Sequence, residues 1–309
     1  MSVIAFDTSN YTTSIAWFDG SQGINCSQLL PVREGELGLR QSDAVFHHTK
    51  SLPELSDRLF SDVLKADITA VGVSTRPRAV EGSYMPCFMV GYSHAKVLAG
   101  ALGVPLVKCS HQQGHIAASL WSAGRLDLMN TPHLAWHLSG GTTELLLVEP
   151  EGRNVRCTRI GGTSDISAGQ LIDRTGQLLG LNFPAGRHLD ALWPSAIKKD
   201  VFRVKCSDMT FSLSGVQNKV EGYYASCNSK EETAAFALRC VCNAVLTATR
   251  NAQKVYPGLP VVFSGGVASN SMLRNVMAPF NPIFSEPEYS TDNAMGVAVL
   301  AHRLQEEKE

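Results

Sequence analysis

Several familiar signals are missing from this 309-residue sequence, and each absence narrows its chemistry. None of the eight cysteines forms a CxxC pair, and a chain this long does not need disulfide staples, so reduced buried thiols in a cytoplasmic protein are expected. There is no excess of either charge: 27 basic residues stand against 28 acidic ones. Any nucleic-acid contact must therefore use a local patch or a partner protein. No apolar run approaches the ~20 residues of a membrane span, so no membrane association is expected. The opening MSVIAFDTSN has no basic flank and reads as a first strand, not a signal peptide. No GxxxxGK(S/T) is present, which excludes a P-loop. No HExxH is present either, because Gln112 stands where a zinc protease carries its glutamate.

What is present is ordinary globular composition, with 44% hydrophobic and 18% charged residues, at a length that suggests two domains. Val3–Phe6 and Ile15–Phe18 read as strands around a polar turn, with Asp19-Gly20 as a hairpin turn. The same grammar returns about 130 residues later in His133–Leu138, Ser139–Thr143 and Glu144–Val148, which suggests a duplicated fold. Helices are predicted over 51–65, 89–102, 231–255 and 291–305, with Gly103 capping the second. Strands are predicted at 70–74, 104–107 and 259–263, and 20–45 is the least regular stretch. Strand and helix alternate, so the class is α/β.

Three turns follow apolar strands and expose backbone N–H groups beside small side chains: Thr8–Ser14, Ser139–Thr143 and Ser264–Asn270. Such turns let a phosphate approach the backbone, although each alone is equally an ordinary tight turn. Asp7, before the first of them, can orient a metal-bound water or a phosphate-linked ion. His111 and His115 lie four residues apart, on one face if helical, just past a strand's carboxyl end. Asp292 is the natural third ligand. In the central stretch Asp165–Asp190, Asp173 can take a ribose hydroxyl or simply pair with Arg174 on the surface, and Gly186 can let a nucleotide lie against the backbone.

Taken together, FDTSNYTTSIA, SHQQGHIAAS, LSGGTTELLLV, GQLIDRTGQLLGLNFPAG, MTFSLSGVQNKV, VVFSGGVASNSMLR and STDNAMGVA run in one order along nearly the whole chain. The sequence thereby resembles the tRNA threonylcarbamoyladenosine transferase family, formerly called O-sialoglycoprotein endopeptidase. The resemblance implies a duplicated two-lobed fold of the actin/hexokinase kind, with mixed sheets flanked by helices. One lobe would hold 1–115 and 290–309, the other 116–289 with a helical insertion around 165–230. It implies one divalent metal ion, iron or zinc, on His111, His115 and Asp292. Leu138, Ser139, Gly140, Gly141, Thr142, Asp173, Gly186, Gly265, Gly266 and Asn270 would contact an adenylate or ATP-type nucleotide and substrate, and Asp7, Ser9 and Asn10 would form the catalytic turn. Implied partners are tRNA, a paralogous subunit of the TsaB type and a small ATPase.

The chain also departs from that family. The opening motif usually reads DTSCDDT; here it is Asp7-Thr8-Ser9-Asn10-Tyr11-Thr12-Thr13, and the acidic residues are lost, with Tyr11 and Thr12 in their places. The glycine–proline loop is Thr75-Arg76-Pro77-Arg78-Ala79-Val80-Glu81, the SGGHT histidine is Thr142, and the SGLK lysine is Gln217. A divergent paralogue is thus the alternative, either carbamoylating another acceptor or serving as a non-catalytic nucleotide-binding subunit.

Overall fold

The computed structural model describes residues 1–9, 11–31, 39–63 and 67–305. Its first sheet holds β1 (Ser2–Asp7), β2 (Thr12–Phe18), β3 (Gly23–Leu29), β4 (Ile68–Ser74) and β5 (Leu106–Cys109) in the order β3-β2-β1-β4-β5. β1, β2 and β3 form an antiparallel meander, and β4 and β5 continue parallel to β1. The unbroken apolar run of β1 suits this central place, where both faces are covered.

The second sheet is built from β6 (His133–Leu138), β7 (Thr143–Glu151), β8 (Asn154–Thr163), β9 (Cys206–Ser207), β10 (Thr210–Phe211), β11 (Val261–Ser264) and β12 (Ile283–Phe284). Its order is β12-β11-β6-β7-β8-β10-β9, with β11 parallel to both β6 and β12. Read from β8 to β12, this repeats the order of the first sheet, with β9 and β10 added beyond β8. The duplicated grammar of the sequence is therefore a duplicated sheet.

The helices are α1 (Gln41–Asp62), α2 (Phe88–Leu102), α3 (His111–Ser122), α4 (Ala168–Leu178), α5 (Gly186–Leu192), α6 (Ser214–Cys227), α7 (Lys230–Val255), α8 (Ser271–Met277) and α9 (Met295–Gln305). α1 starts ten residues earlier than the sequence predicts. Its buried series Ala44, His48, Leu52, Leu55 and Leu59 keeps helical spacing through Pro53, and that burial outweighs the donor proline lacks. Nor is 20–45 uniformly irregular, since it contains β3 and the start of α1, although 32–38 lie outside the described residues. Among the described residues, no helix is long and apolar enough to cross a membrane.

Two compact units result. One comprises Met1–Thr131, Glu149–Cys157 and Glu288–Glu309, the other Pro132–Val148 and Thr158–Pro287. The first has a core of Ile4, Phe6, Ile15, Leu52, Leu55 and Val71. The second packs Leu134, Trp136, Leu171, Val241 and Phe263, with Trp136 Nε1 donating to Thr249 Oγ1 at 2.9 Å. Residue 115, the boundary expected from sequence, falls inside α3; residues 116–131 group with the first unit because α3 packs along α9.

Candidate functional site

The histidine pair is positioned by local chemistry at the start of α3. Ser110 is the N-cap: its hydroxyl accepts from Gln113 N, and Gln113 Oε1 accepts from Ser110 N at 2.9 Å. Gln113 Nε2 then donates to the Val155 carbonyl at 2.8 Å. The free amides of the first turn are taken by the loop that follows β4: His111 N donates to Arg76 O at 2.9 Å, and Gln112 N to Pro77 O at 3.0 Å. His111 and His115 then meet edge to face one turn apart, ring centroids 4.2 Å from each other.

Asp292 reaches this pair through two glycines. A Cβ on Gly296 would overlap the Gly114 carbonyl, so α3 and α9 approach more closely than side chains would permit. The segment ahead of α9 is then pinned. Asn293 Oδ1 accepts from Met295 N at 3.0 Å, its Nδ2 donates to Thr291 O at 2.7 Å, and Asn25 Oδ1 accepts from Ala294 N at 3.1 Å. This asparagine clamp starts α9 at Met295, later than the sequence predicts, and leaves Asp292 in the bend ahead of the helix. Asp292 Oδ1 lies 3.3 Å from His111 Nε2 and 3.2 Å from His115 Nε2. One ligand atom from each of the three residues falls within 4.8 Å of the other two.

Asp7 stands behind the cluster. It is buried at the end of β1; Oδ2 accepts from His111 Nδ1 at 2.8 Å and Oδ1 from Ser9 N at 3.0 Å. Burial opposes charge on His111, but Asp7 and Asp292 outweigh it and push its pKa up to about 10. Burial likewise opposes ionisation of Asp292, yet His111 and His115 hold it well below the usual carboxylate range. Asp7 is lowered as well, His111 overcoming its burial. With Nδ1 donating to Asp7, His111 presents Nε2 to the cluster, the usual arrangement of a carboxylate behind a metal-binding histidine. Two imidazole nitrogens and one carboxylate oxygen fit iron, zinc or manganese. Ser9 is fully buried and its hydroxyl has no partner, as is also true of Ser74 at the end of neighbouring β4. Asn10 lies outside the described residues.

The second unit gathers most of the remaining candidates around one packed set of turns. Ser139 N donates to Thr142 O at 2.8 Å, and Thr142 N to Ser139 Oγ at 3.1 Å, closing the loop after Leu138. Ser167, the N-cap of α4, donates to Gly140 O at 2.6 Å. Gly169 has no room for a Cβ against Ser139 and Gly140. Gly265 takes φ +90° against the Leu138 carbonyl and is required by packing, whereas Gly140, Gly141, Gly186 and Gly266 have open space where a Cβ would be. Asp173 and Arg174 turn to different partners: Asp173 Oδ1 accepts from Ala185 N at 2.9 Å, and Arg174 Nη1 donates to Gln217 at 2.6 Å. Burial raises the Asp173 pKa. Asn270 is largely committed to structure, capping α8 through Leu273 N at 3.0 Å and donating to Asp190 Oδ1 at 2.7 Å. Asp190 also accepts from the Ser271 amide and hydroxyl and from Trp193 Nε1.

Sequence reasoning missed this Asp190 hub and its counterpart, Asp165. Asp165 accepts from Thr163 Oγ1, the Leu213 amide, and the hydroxyls of Ser212 and Ser214. These contacts hold its pKa at about 2 against partial burial. Partners 47 to 49 residues away leave no local pattern to read.

Residues 36–299 match the TsaD family, described as tRNA N6-adenosine threonylcarbamoyltransferase. The chain belongs to this family. As a TsaD-family protein it is a transferase. A relative of that name from Streptococcus pneumoniae (strain Taiwan19F-14) is 28% identical over 89% of this chain and 83% of its own length. Another from Streptococcus suis (strain 05ZYH33) is 31% identical over 75% of this chain and 69% of its own. The fold also matches more distant solved structures. Full-length HypF in its phosphate- and nucleotide-bound form superposes with a TM-score of 0.63 at 15% identity, over 99% of this chain and 46% of that one. Component A of the (R)-2-hydroxyglutaryl-CoA dehydratase of Acidaminococcus fermentans gives 0.57 at 14% identity, with full coverage of both chains. These neighbours bear out the actin-like, hexokinase-like architecture that the TsaD motifs imply.

Proposed function

We propose that this chain is a metal-dependent transferase that moves the threonylcarbamoyl group from threonylcarbamoyl-adenylate to the exocyclic amine of the adenine beside the tRNA anticodon. The observation that carries this reading is the convergence of His111, His115 and Asp292, with Asp7 fixing the His111 ring from behind. His111 Nε2, His115 Nε2 and Asp292 Oδ1 would hold the ion, and Asp7 keeps the His111 proton on Nδ1, away from it. A divalent ion held there supplies Lewis-acid polarisation of the acyl group and neutralises the adenylate phosphate.

The open backbone at Gly140, Gly141, Gly186 and Gly266 suits close approach of a nucleotide, and Asp173 Oδ2 is assigned to a ribose hydroxyl. In the transfer, the adenine nitrogen bonds to the carbamoyl carbon, the carbon–oxygen bond to phosphate breaks, AMP leaves and the amine gives up a proton. Positioning and charge neutralisation suffice, and no covalent nucleophile is invoked. Tyr11, Thr12 and Thr13 bring no carboxylate to the turn after Asp7, and the two Asp7 oxygens already accept from His111 and Ser9. That observation favours, as the second reading, the same donor chemistry on another acceptor. By family membership the chain would act with a TsaB-type subunit and a small ATPase.

The test is to measure bound metal, then supply the donor and unmodified tRNA. Modified adenosine that disappears in His111→Ala supports the first reading. Metal and adenylate binding without a tRNA product overturns it in favour of the second.

A further inference from the structure

The overall charge of −1 leaves any RNA contact to a local patch, and the second unit carries one. Residues 197–205 run without helix or strand between α5 and β9, and all but Val204 are exposed. Four of the nine are cationic: Lys198, Lys199, Arg203 and Lys205. The single acid, Asp200, accepts from Tyr223 OH at 2.9 Å, which spends part of its charge on the protein.

This strap is irregular yet firmly held. Glu232 Oε1 on α7 accepts from Ile197 N at 2.8 Å and from Lys198 N at 3.2 Å. Arg239 Nη1 donates to Asp200 O at 3.3 Å, Phe202 N donates to Cys240 Sγ at 3.4 Å, and Val204 is buried as an apolar peg. The backbone is thus fixed by α7 while the side chains other than Val204 are left exposed. Exposed apolar groups lie among the charges: Ile197 is 89% exposed and Phe202 39%. Lys219 on α6 adds a cation 5.6 Å from the Phe202 ring.

Solvated lysines alone are ordinary surface. A pre-ordered row of cations with an aromatic and an aliphatic face between them is the composition that tracks a nucleic-acid backbone and stacks its bases. An acidic protein would be met by the charge but would not need the exposed Phe202 face. We propose that the 197–205 strap is an RNA-binding surface, with Lys198, Lys199, Arg203 and Lys205 on phosphates and Phe202 against a base. This inference rests on the tRNA reading of the site but involves none of the residues assigned to it.

The test uses the full chain and a labelled, unmodified tRNA, with affinity measured across a salt series. The quadruple variant Lys198→Gln, Lys199→Gln, Arg203→Gln, Lys205→Gln is expected to lose at least tenfold in affinity. Its slope of log affinity against log salt should shrink by roughly 0.7–0.9 for each phosphate that is no longer neutralised. Phe202→Ala should weaken binding with little change in slope, and the four Lys/Arg exchanges that preserve charge should retain the slope. Bound metal and AMP affinity, measured in parallel, should not move in any variant. Unchanged RNA affinity and slope in the quadruple variant would overturn the proposal. So would a wild-type chain that binds metal and AMP but, instead of RNA, captures poly-glutamate. RNA bound through the strap by a chain that takes up no metal would uphold this surface and sink the catalytic reading.

Discussion

Gly114 and Gly296 face each other across α3 and α9, with no space for a Cβ between the Gly296 Cα and the Gly114 carbonyl. The contact involves no reactive atom. It nonetheless sets the distance from which Asp292, four residues before Gly296, meets the histidines that bracket Gly114.

Gly296→Ala should therefore act on stability and metal binding together. Forcing a methyl into this contact is expected to cost about 1–3 kcal/mol, with the helices displaced to make room. Denaturant unfolding reads the first effect and metal titration the second. Wild-type metal affinity in a stable Gly296→Ala variant would show that the crossing does not set the site.

Asp7→Asn tests the carboxylate behind His111 without changing its size. Loss of a partner of this kind typically weakens metal binding about 10–100-fold. Competition against a chelator of known affinity measures it. His115→Ala, which removes a ligand outright, should be the more damaging change.

Metal binding should release a proton. Without metal, His111 holds its proton up to about pH 10, so at pH 8 a metal ion must displace it from Nε2. Calorimetric titration in two buffers of different ionisation enthalpy should show about one proton released per ion. Stripping the metal should leave the chain folded, because protonated His111 then bridges Asp7 and Asp292.

His48 gives the fold a dependence on acid. It is fully buried, its Nδ1 is 2.7 Å from Thr13 Oγ1, its Nε2 has no partner, and burial lowers its pKa to about 4. The unfolded chain binds that proton near pH 6.5, so between pH 6.5 and 4 it holds more protons than the folded one. Stability should be full above pH 6.5 and fall by up to about 3 kcal/mol as pH drops to 4. The pH dependence of the denaturation midpoint should flatten in this window in His48→Asn. An identical slope in that variant would assign the acid sensitivity to other groups.

Two neighbouring glycines should respond differently to alanine. Gly265→Ala meets the Leu138 carbonyl at a positive φ and should destabilise the second unit by more than about 1 kcal/mol. Gly266→Ala has open space and should fold normally while weakening AMP binding. Thermal melts and AMP titrations on the two variants separate packing from ligand access.

Much of this was legible in the sequence because it is local. The apolar run of β1, the glycine cap at Gly103 and the four-residue histidine spacing each depend on neighbours within a turn or a strand, where geometry fixes who meets whom. The order of the motifs then identified the family. Tertiary packing decided the rest. Asp292 lies 177 residues from His115 and Asp7 lies 104 from His111, and only the sheet order and the glycine crossing of α3 and α9 bring them together. Asn270 and Gly265 also carry capping and packing roles that the sequence did not show, because those depend on Leu273, Asp190 and Leu138. Spacing along the chain predicts which groups share a face; which faces touch is set by burial over the whole fold.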